Sequence, residues 1–159
     1  RPVWFCMYED ILVPTDGSDQ SFRALDEAAA LAVQHDARLH VLYVVEVAML
    51  GDAGDLTIIE SIERTGEEAI DRARRRAEEA GVAEVHGAVH RGTPHRAILE
   101  YVDDEGIDLV VMGTHGRTGL NRLLLGSVTE KMVRLSPVPV LTVRSPTEGE
   151  TGEESRDEE

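Results

Sequence analysis

Between positions 113 and 134 the chain reads GTHGRTGLNRLLLGSVTEKMVR, with glycines at 113, 116, 119 and 126. Glycine lets backbone amides approach an anion, because no β-carbon stands in the way. Gly126 precedes Ser127, Val128 and Thr129, which read as a helix start. The first N–H groups of a helix lack an intrahelical acceptor and carry the positive end of its dipole. Ser127 and Thr129 add two hydroxyl donors. Such a set can cradle a phosphate without a lysine. It is not a Walker A loop, since no Gly-Lys-Ser/Thr follows the glycines, and the spacing is not G-x-G-x-x-G. The same glycines also fit a set of turns, with Leu123, Leu124 and Leu125 as a packing anchor, and spacing alone leaves that open.

Other side chains invite chemistry less strongly. His115 could donate to a phosphate or face solvent. Arg117 and Arg122 could touch or screen phosphates, or lie on plain surface. His86 and His90 would share a strand face, with His95 nearby in sequence. No carboxylate or cysteine joins them at ligand spacing, so no metal site is expected. The acids at 103–105 read as a solvated helix end. No nucleophile is paired with a base by sequence logic.

These residues need a scaffold. "DILVP" (10–14) is a short apolar run ended by "TDGSD", which reads as a buried strand and a turn. Ser18 or Asp19 can cap a helix to about 35, with Ala24, Leu25, Ala28, Leu31 and Ala32 on one stripe. "RLHVLYVV" (38–45) is a second strand, and 46–56 has no clear period and reads as a loop. A long helix over about 57–80 would turn Ile58, Ile62, Ile70, Ala73 and Ala77 inward and carry i,i+4 pairs Glu60–Arg64, Glu68–Arg72 and Asp71–Arg75. The arginines at 74–76 are interleaved with acids, as on a solvated face. Residues 83–90 form a third strand. Gly92-Thr93-Pro94 starts a helix to about 105, with proline at its first position. Residues 107–113 are a continuous apolar strand, as in a sheet covered on both faces. A helix over about 127–135 and a last strand from Val138 to Val143 follow, with Pro137 and Pro139 at the strand's entrance.

Strand and helix thus alternate. The fold class is α/β: an open five-stranded parallel sheet with helices on both faces and right-handed crossovers. Ligands bind such sheets beyond the carboxyl ends of the strands, at the topological switch point. In strand order 3-2-1-4-5, the loops "PTDGSD" (14–19) and "GTHGRTG" (113–119) would face one crevice.

Composition narrows the partners. The 159 residues carry 31 acids against 16 bases, a formal charge of −15. The tail from 145 holds seven of those acids and one arginine, so residues 1–144 retain 24 acids against 15 bases, or −9. That field argues against nucleic acid and against anionic membrane. Excess acid with one lysine, Lys131, suggests a salt-adapted or GC-rich source, in which stability would rise steeply with KCl. One cysteine, Cys6, fits a reducing, cytoplasmic setting. No apolar run reaches the length of a spanning helix. Residues 1–6 read as an upstream start-codon extension or expression remnant rather than a hydrophobic arm, and the domain as 7–144. The acidic tail, 145–159, is expected to be disordered.

Four blocks in order, "ILVPTDGSD", "GTPHRAILEY", "DLVVMGTHGRTGLNRLLLGSVTEKMVR" and "PVPVLTV", resemble the universal stress protein family across residues 7–144. The family's nucleotide-binding branch carries Gly-x2-Gly-x9-Gly-Ser/Thr, which Gly113, Gly116, Gly126 and Ser127 match in spacing. The resemblance implies a Rossmann-like sheet of the adenine nucleotide alpha hydrolase type, order 3-2-1-4-5, and a homodimer paired through the strand from Val138 to Val143. It also implies ATP in the crevice. Gly113 would lie by the ribose, and Gly116, Gly126 and Ser127, with Arg117, Val128 and Thr129, around the phosphates. Asp16 would meet the ribose or a metal-bound water. Pro14, Thr15 and the backbone near Val44 would line the adenine pocket, and Met112 would also belong to the site. Magnesium or manganese would ride on the phosphates, not in a protein cage. Three functions follow: an ATP-dependent stress-response regulator, a slow ATPase using Asp16 and an arginine, or a nucleotide-free dimeric module with structural glycines.

Overall fold

A computed structural model describes residues 7–50, 56–116 and 124–145. The chain alternates β1 (Asp10–Thr15), α1 (Asp19–His35), β2 (Arg38–Val45), α2 (Leu56–Glu79), β3 (Val85–Arg91), α3 (Pro94–Asp104), β4 (Leu109–Gly113), α4 (Ser127–Leu135) and β5 (Val140–Val143). The strands form one sheet in the order β3-β2-β1-β4-β5, all neighbours parallel. This is the expected 3-2-1-4-5 order, with its switch point between β1 and β4.

Alternation along each strand divides the core into two layers. Ile11, Val13, Val41, Tyr43 and Val111 face α1 and α2, where they meet Leu25, Ala28, Ile70, Ala73 and Ala77. Leu12, Leu42, Val110 and Met112 face α3 and α4, where they meet Ile98, Tyr101, Val102 and Met132. Leu12 and Leu42 are fully enclosed. Truncating either to alanine would cost about 2–5 kcal/mol.

Local chemistry sets the element ends. The Ser18 side chain accepts from the Ser21 amide and caps α1, and Pro94 opens α3. The first loop is tied to itself: Thr15 Oγ1 accepts from the Gly17 amide, and Asp16 Oδ1 from Ser18. Gly17 there has φ +78°, which favours glycine.

Several expected boundaries move. The 46–56 loop contains a 3-10 turn, Val47–Leu50. β4 starts at Leu109, because the Ile107 amide is taken by the Val102 carbonyl at the end of α3. β5 starts at Val140, after the two prolines, with Pro139 contributing only its carbonyl, to Val110. On α2 the inward residue is Ile59, whereas Ile58 is 49% exposed. Ile62 lies to one side of the buried stripe set by Ala69, Ile70, Ala73 and Ala77, so a step back of four residues turns about 40° further off it, while a step of three turns about 60° the other way, onto it. Nor do the three expected i,i+4 pairs of α2 form among the described residues. Its charges reach other elements instead: Arg76 grips Asp26 of α1 at 2.6 and 2.7 Å, and Arg91 of β3 binds Glu63. Arg72 and Arg76 also lie over the Phe22 ring, at 4.6 and 5.8 Å. The arginine run therefore helps to fasten α2 to α1.

The candidate nucleotide site

A cavity of about 440 Å³ opens over the carboxyl ends of β1, β2 and β4. Pro14, Thr15 and Asp16 enter it from β1 and its loop, and Leu42, Val44 and Glu46 from β2. Met112 and Gly113 end β4 there, followed by His115 and Gly116. The start of α4 supplies Gly126, Ser127, Val128, Thr129 and Lys131, and the start of α3 supplies Thr93, Pro94, His95 and Ile98. Of the twelve residues singled out from the sequence, eleven border this one space. Arg117, like Arg122, lies outside the described residues.

The α4 end differs from that of α1. Gly126 is its N-cap and offers no side-chain cap. Glu130 N–H donates to the Gly126 carbonyl, but the amides of Ser127, Val128 and Thr129 have no acceptor among the described residues. They point from the helix start toward the cavity, with the positive end of the dipole behind them.

The glycines work differently from expectation. None of Gly113, Gly116 and Gly126 has the positive φ of a left-handed turn. Each permits a close approach within the protein. A β-carbon on Gly126 would lie 3.2 Å from the Thr114 carbonyl oxygen and 3.4 Å from the His115 α-carbon. One on Gly113 would meet the His115 and Gln20 carbonyl oxygens at 3.2 and 3.4 Å, and one on Gly116 would meet Asp16 Oδ2 at 2.8 Å. The two loops and α4 are packed backbone to backbone, and the Gly126 N–H donates to the Thr114 carbonyl at 2.7 Å.

Thr129 also needs correction. Its hydroxyl, expected to meet a phosphate, is buried and donates to the Gly113 carbonyl at 2.8 Å. It ties α4 to the end of β4, and only its amide belongs to the helix opening. The Thr15 hydroxyl is likewise engaged, with Ser21 Oγ at 2.8 Å. Ser127 stays exposed at the rim.

Sequence reasoning missed the α3 wall, Glu46, His95 and Lys131. Thr93, Pro94 and Ile98 reach the cavity only because α3 packs on the same sheet face as α4, which no local pattern reveals. Lys131 carried a readable signal, since it stands one helical turn after Ser127.

The strongest electrostatics lie at the opposite, amino-terminal end of the sheet. Asp10 is buried and accepts from Arg38 Nε and Nη2 at 2.7 and 2.6 Å and from His40 Nε2 at 2.9 Å. The bond with Arg38 lowers its pKa from 3.8; burial opposes this and the bond with His40 reinforces it. Since a carboxylate only accepts, His40 carries hydrogen on Nε2, and its Nδ1 lies 3.0 Å from the Tyr101 hydroxyl. Burial, and then the charges of Glu105 and Asp10, push Tyr101 up to about 12. His86 stacks on His40 with ring centres 5.1 Å apart and pairs with Glu84, while His90 sits edge-on to Tyr101. These histidines are thus engaged in packing and hydrogen bonds. Among the described residues no three metal-ligating side chains converge, and no helix is long and apolar enough to cross a membrane.

Comparison with known proteins agrees with the fold and the motif. The pattern of the universal stress protein family matches residues 7–144. The universal stress protein MJ0531 of Methanocaldococcus jannaschii is 40% identical over 144 residues, covering 88% of this chain and 84% of that protein. The structure of MJ0577, from the same organism, superposes with a TM-score of 0.81 at 30% identity, over 89% of this chain and 99% of the other. A universal stress protein in complex with cAMP gives a TM-score of 0.66 at 30% identity, over 87% and 98%. With the motif spacing, the strand order and these matches in agreement, the chain belongs to the universal stress protein family.

Proposed function

We propose that this chain is an ATP-binding, dimeric stress-response regulator of the cytoplasm. The observation that carries the reading is the uncapped start of α4, opening onto a cavity whose other wall is apolar. Three N–H groups and a helix dipole suit phosphate oxygens. Pro14, Val44, Met112 and Ile98 suit a flat base. The cAMP complex of a related protein supports an adenine ligand. Magnesium or manganese would be held mainly by the phosphates. Asp16 fits as a partner through water, being the carboxylate beside Gly116 on the cavity wall.

Turnover is a weaker expectation. Phosphoryl transfer needs a positioned water or base. Asp16 Oδ1 already accepts from the Ser18 amide, which favours a positioning role. Dimer formation through the last strand is supported by an edge strand with Leu141 40% exposed and by exposed Val133 and Leu135 on α4.

Denaturing the purified protein and chromatographing the released small molecules tests the ligand. An adenine nucleotide at near-stoichiometric amount is expected, and ATP incubated with excess protein should survive for hours. Release of no nucleotide, with no heat on adding MgATP, would leave the nucleotide-free interaction module as the reading. Prompt single-turnover cleavage would instead make the protein an ATPase.

A further inference from the structure

Lys131 is the single lysine of the chain and borders the cavity from α4. It stands four residues after Ser127, so the two share a helix face. Helical side chains lean back toward the N-terminus. A lysine stem spans roughly the 5.4 Å of one turn, long enough for its ammonium to reach the level of the open amides of Ser127, Val128 and Thr129.

Nothing on α4 diverts that charge. The positions three and four residues away are Ser127, Val128, Arg134 and Leu135, none of them acidic. Glu130, the one acid of α4, is bound to Arg134 Nη2 at 2.7 Å. Among the described residues Lys131 makes no ion pair, so its charge is not committed to another side chain there. It is thus an exposed positive charge at the mouth of the cavity, in a chain with 31 acids and 16 bases.

We infer that Lys131 is a specificity-determining residue of this cavity, supplying the mobile positive charge that selects a nucleotide by its phosphates. The inference rests on the nucleotide reading above. It gives the site the point charge that a Walker lysine supplies, delivered from within the helix instead of from the loop before it. Lysine suits this role because its ammonium moves on a flexible stem and donates charge-assisted hydrogen bonds in any direction. Its contribution scales with phosphate charge, so recognition of base and ribose does not depend on it.

The test is a calorimetric titration of the full chain with ATP and with adenosine, in the unaltered protein, Lys131→Gln and Lys131→Arg. Lys131→Gln is expected to weaken ATP by about tenfold, the scale of one charge-assisted hydrogen bond. Adenosine affinity should stay unchanged, and Lys131→Arg should recover most of the ATP affinity. Raising KCl should narrow the gap between the unaltered protein and Lys131→Gln, because salt screens an exposed charge. Equal ATP affinity in the unaltered protein and Lys131→Gln would overturn the inference while leaving the nucleotide site standing. So would a loss that is the same for adenosine and ATP. Failure of the unaltered chain to bind ATP would overturn the nucleotide reading itself, and this inference with it.

Discussion

At Asp10, two guanidinium N–H groups and one imidazole nitrogen converge on a carboxylate that is almost fully buried. Asp10→Asn removes the charge that Arg38 and His40 answer, and should cost about 2 kcal/mol at neutral pH, since Arg38 is half exposed and can turn to water. The folded pKa lies below the unfolded value of 3.8. Its stabilisation is therefore present above about pH 4 and is lost as pH falls through the folded value. Urea unfolding at pH 7 and pH 3 checks this: the gap between the unaltered protein and Asp10→Asn should shrink at pH 3. A constant gap would show that charge is not the cause. None of this network was legible beforehand, because Asp10, His40 and Tyr101 meet only through strand pairing and the docking of α3. The site residues were more legible, since glycine spacing is a local pattern. Their mechanism was not. Sequence suggested that the glycines make room for a ligand, whereas Gly113, Gly116 and Gly126 first make room for neighbouring parts of the protein. Thr129 similarly looked like a donor to a ligand, and its hydroxyl is spent on the Gly113 carbonyl.

Among the elements, α2 and β3 show how tightly the layers are built. A β-carbon on Gly87 of β3 would lie 2.2 Å from Ile70 Cγ2 on α2. Gly87→Ala should destabilise the protein by about 1–3 kcal/mol, as overpacking of a fitted contact does. Ile70→Leu in the Gly87→Ala background should restore part of the loss, because leucine lacks the β-branch methyl, Cγ2, that the new β-carbon meets. Thermal melts of the two single variants and the double variant measure that coupling. Strictly additive losses would place the cost elsewhere. β2 and α4 were read to the residue from sequence, because an eight-residue run with three valines and a tyrosine and a glycine-started amphipathic helix leave little choice. β4, β5 and the inner face of α2 were not. Their limits depend on which amides find partners across the sheet and on a helical drift that a few isoleucines do not fix.

For the molecule as a whole, the α/β class was legible because strands and helices alternate, while the strand order came from the family resemblance, with which a common crevice for the two loop-specific sequences agrees. The contribution of α3 to that crevice was hidden, since it follows from layer packing. The exposed edge at β5 belongs to this scale too. Leu141 lies on an edge strand, beside apolar residues of α4 that face solvent in the single chain. Leu141→Lys puts a charge where a second copy would pair, and should convert the proposed dimer to monomer in sedimentation while leaving the fold intact. A dimer of undiminished stability would move the interface elsewhere.

We propose that backbone amides at the start of α4, held in place by Gly126, bind the phosphates of ATP. Calorimetric titration of MgATP into the unaltered protein and into Gly126→Val tests it most directly. The added side chain would press on the Thr114 carbonyl and His115, and so open the cradle. Saturable binding of about one ATP per chain is expected of the unaltered protein. Loss of that binding is expected in Gly126→Val, with unfolding cooperativity and sedimentation behaviour retained. Unchanged ATP affinity in a folded Gly126→Val would contradict it.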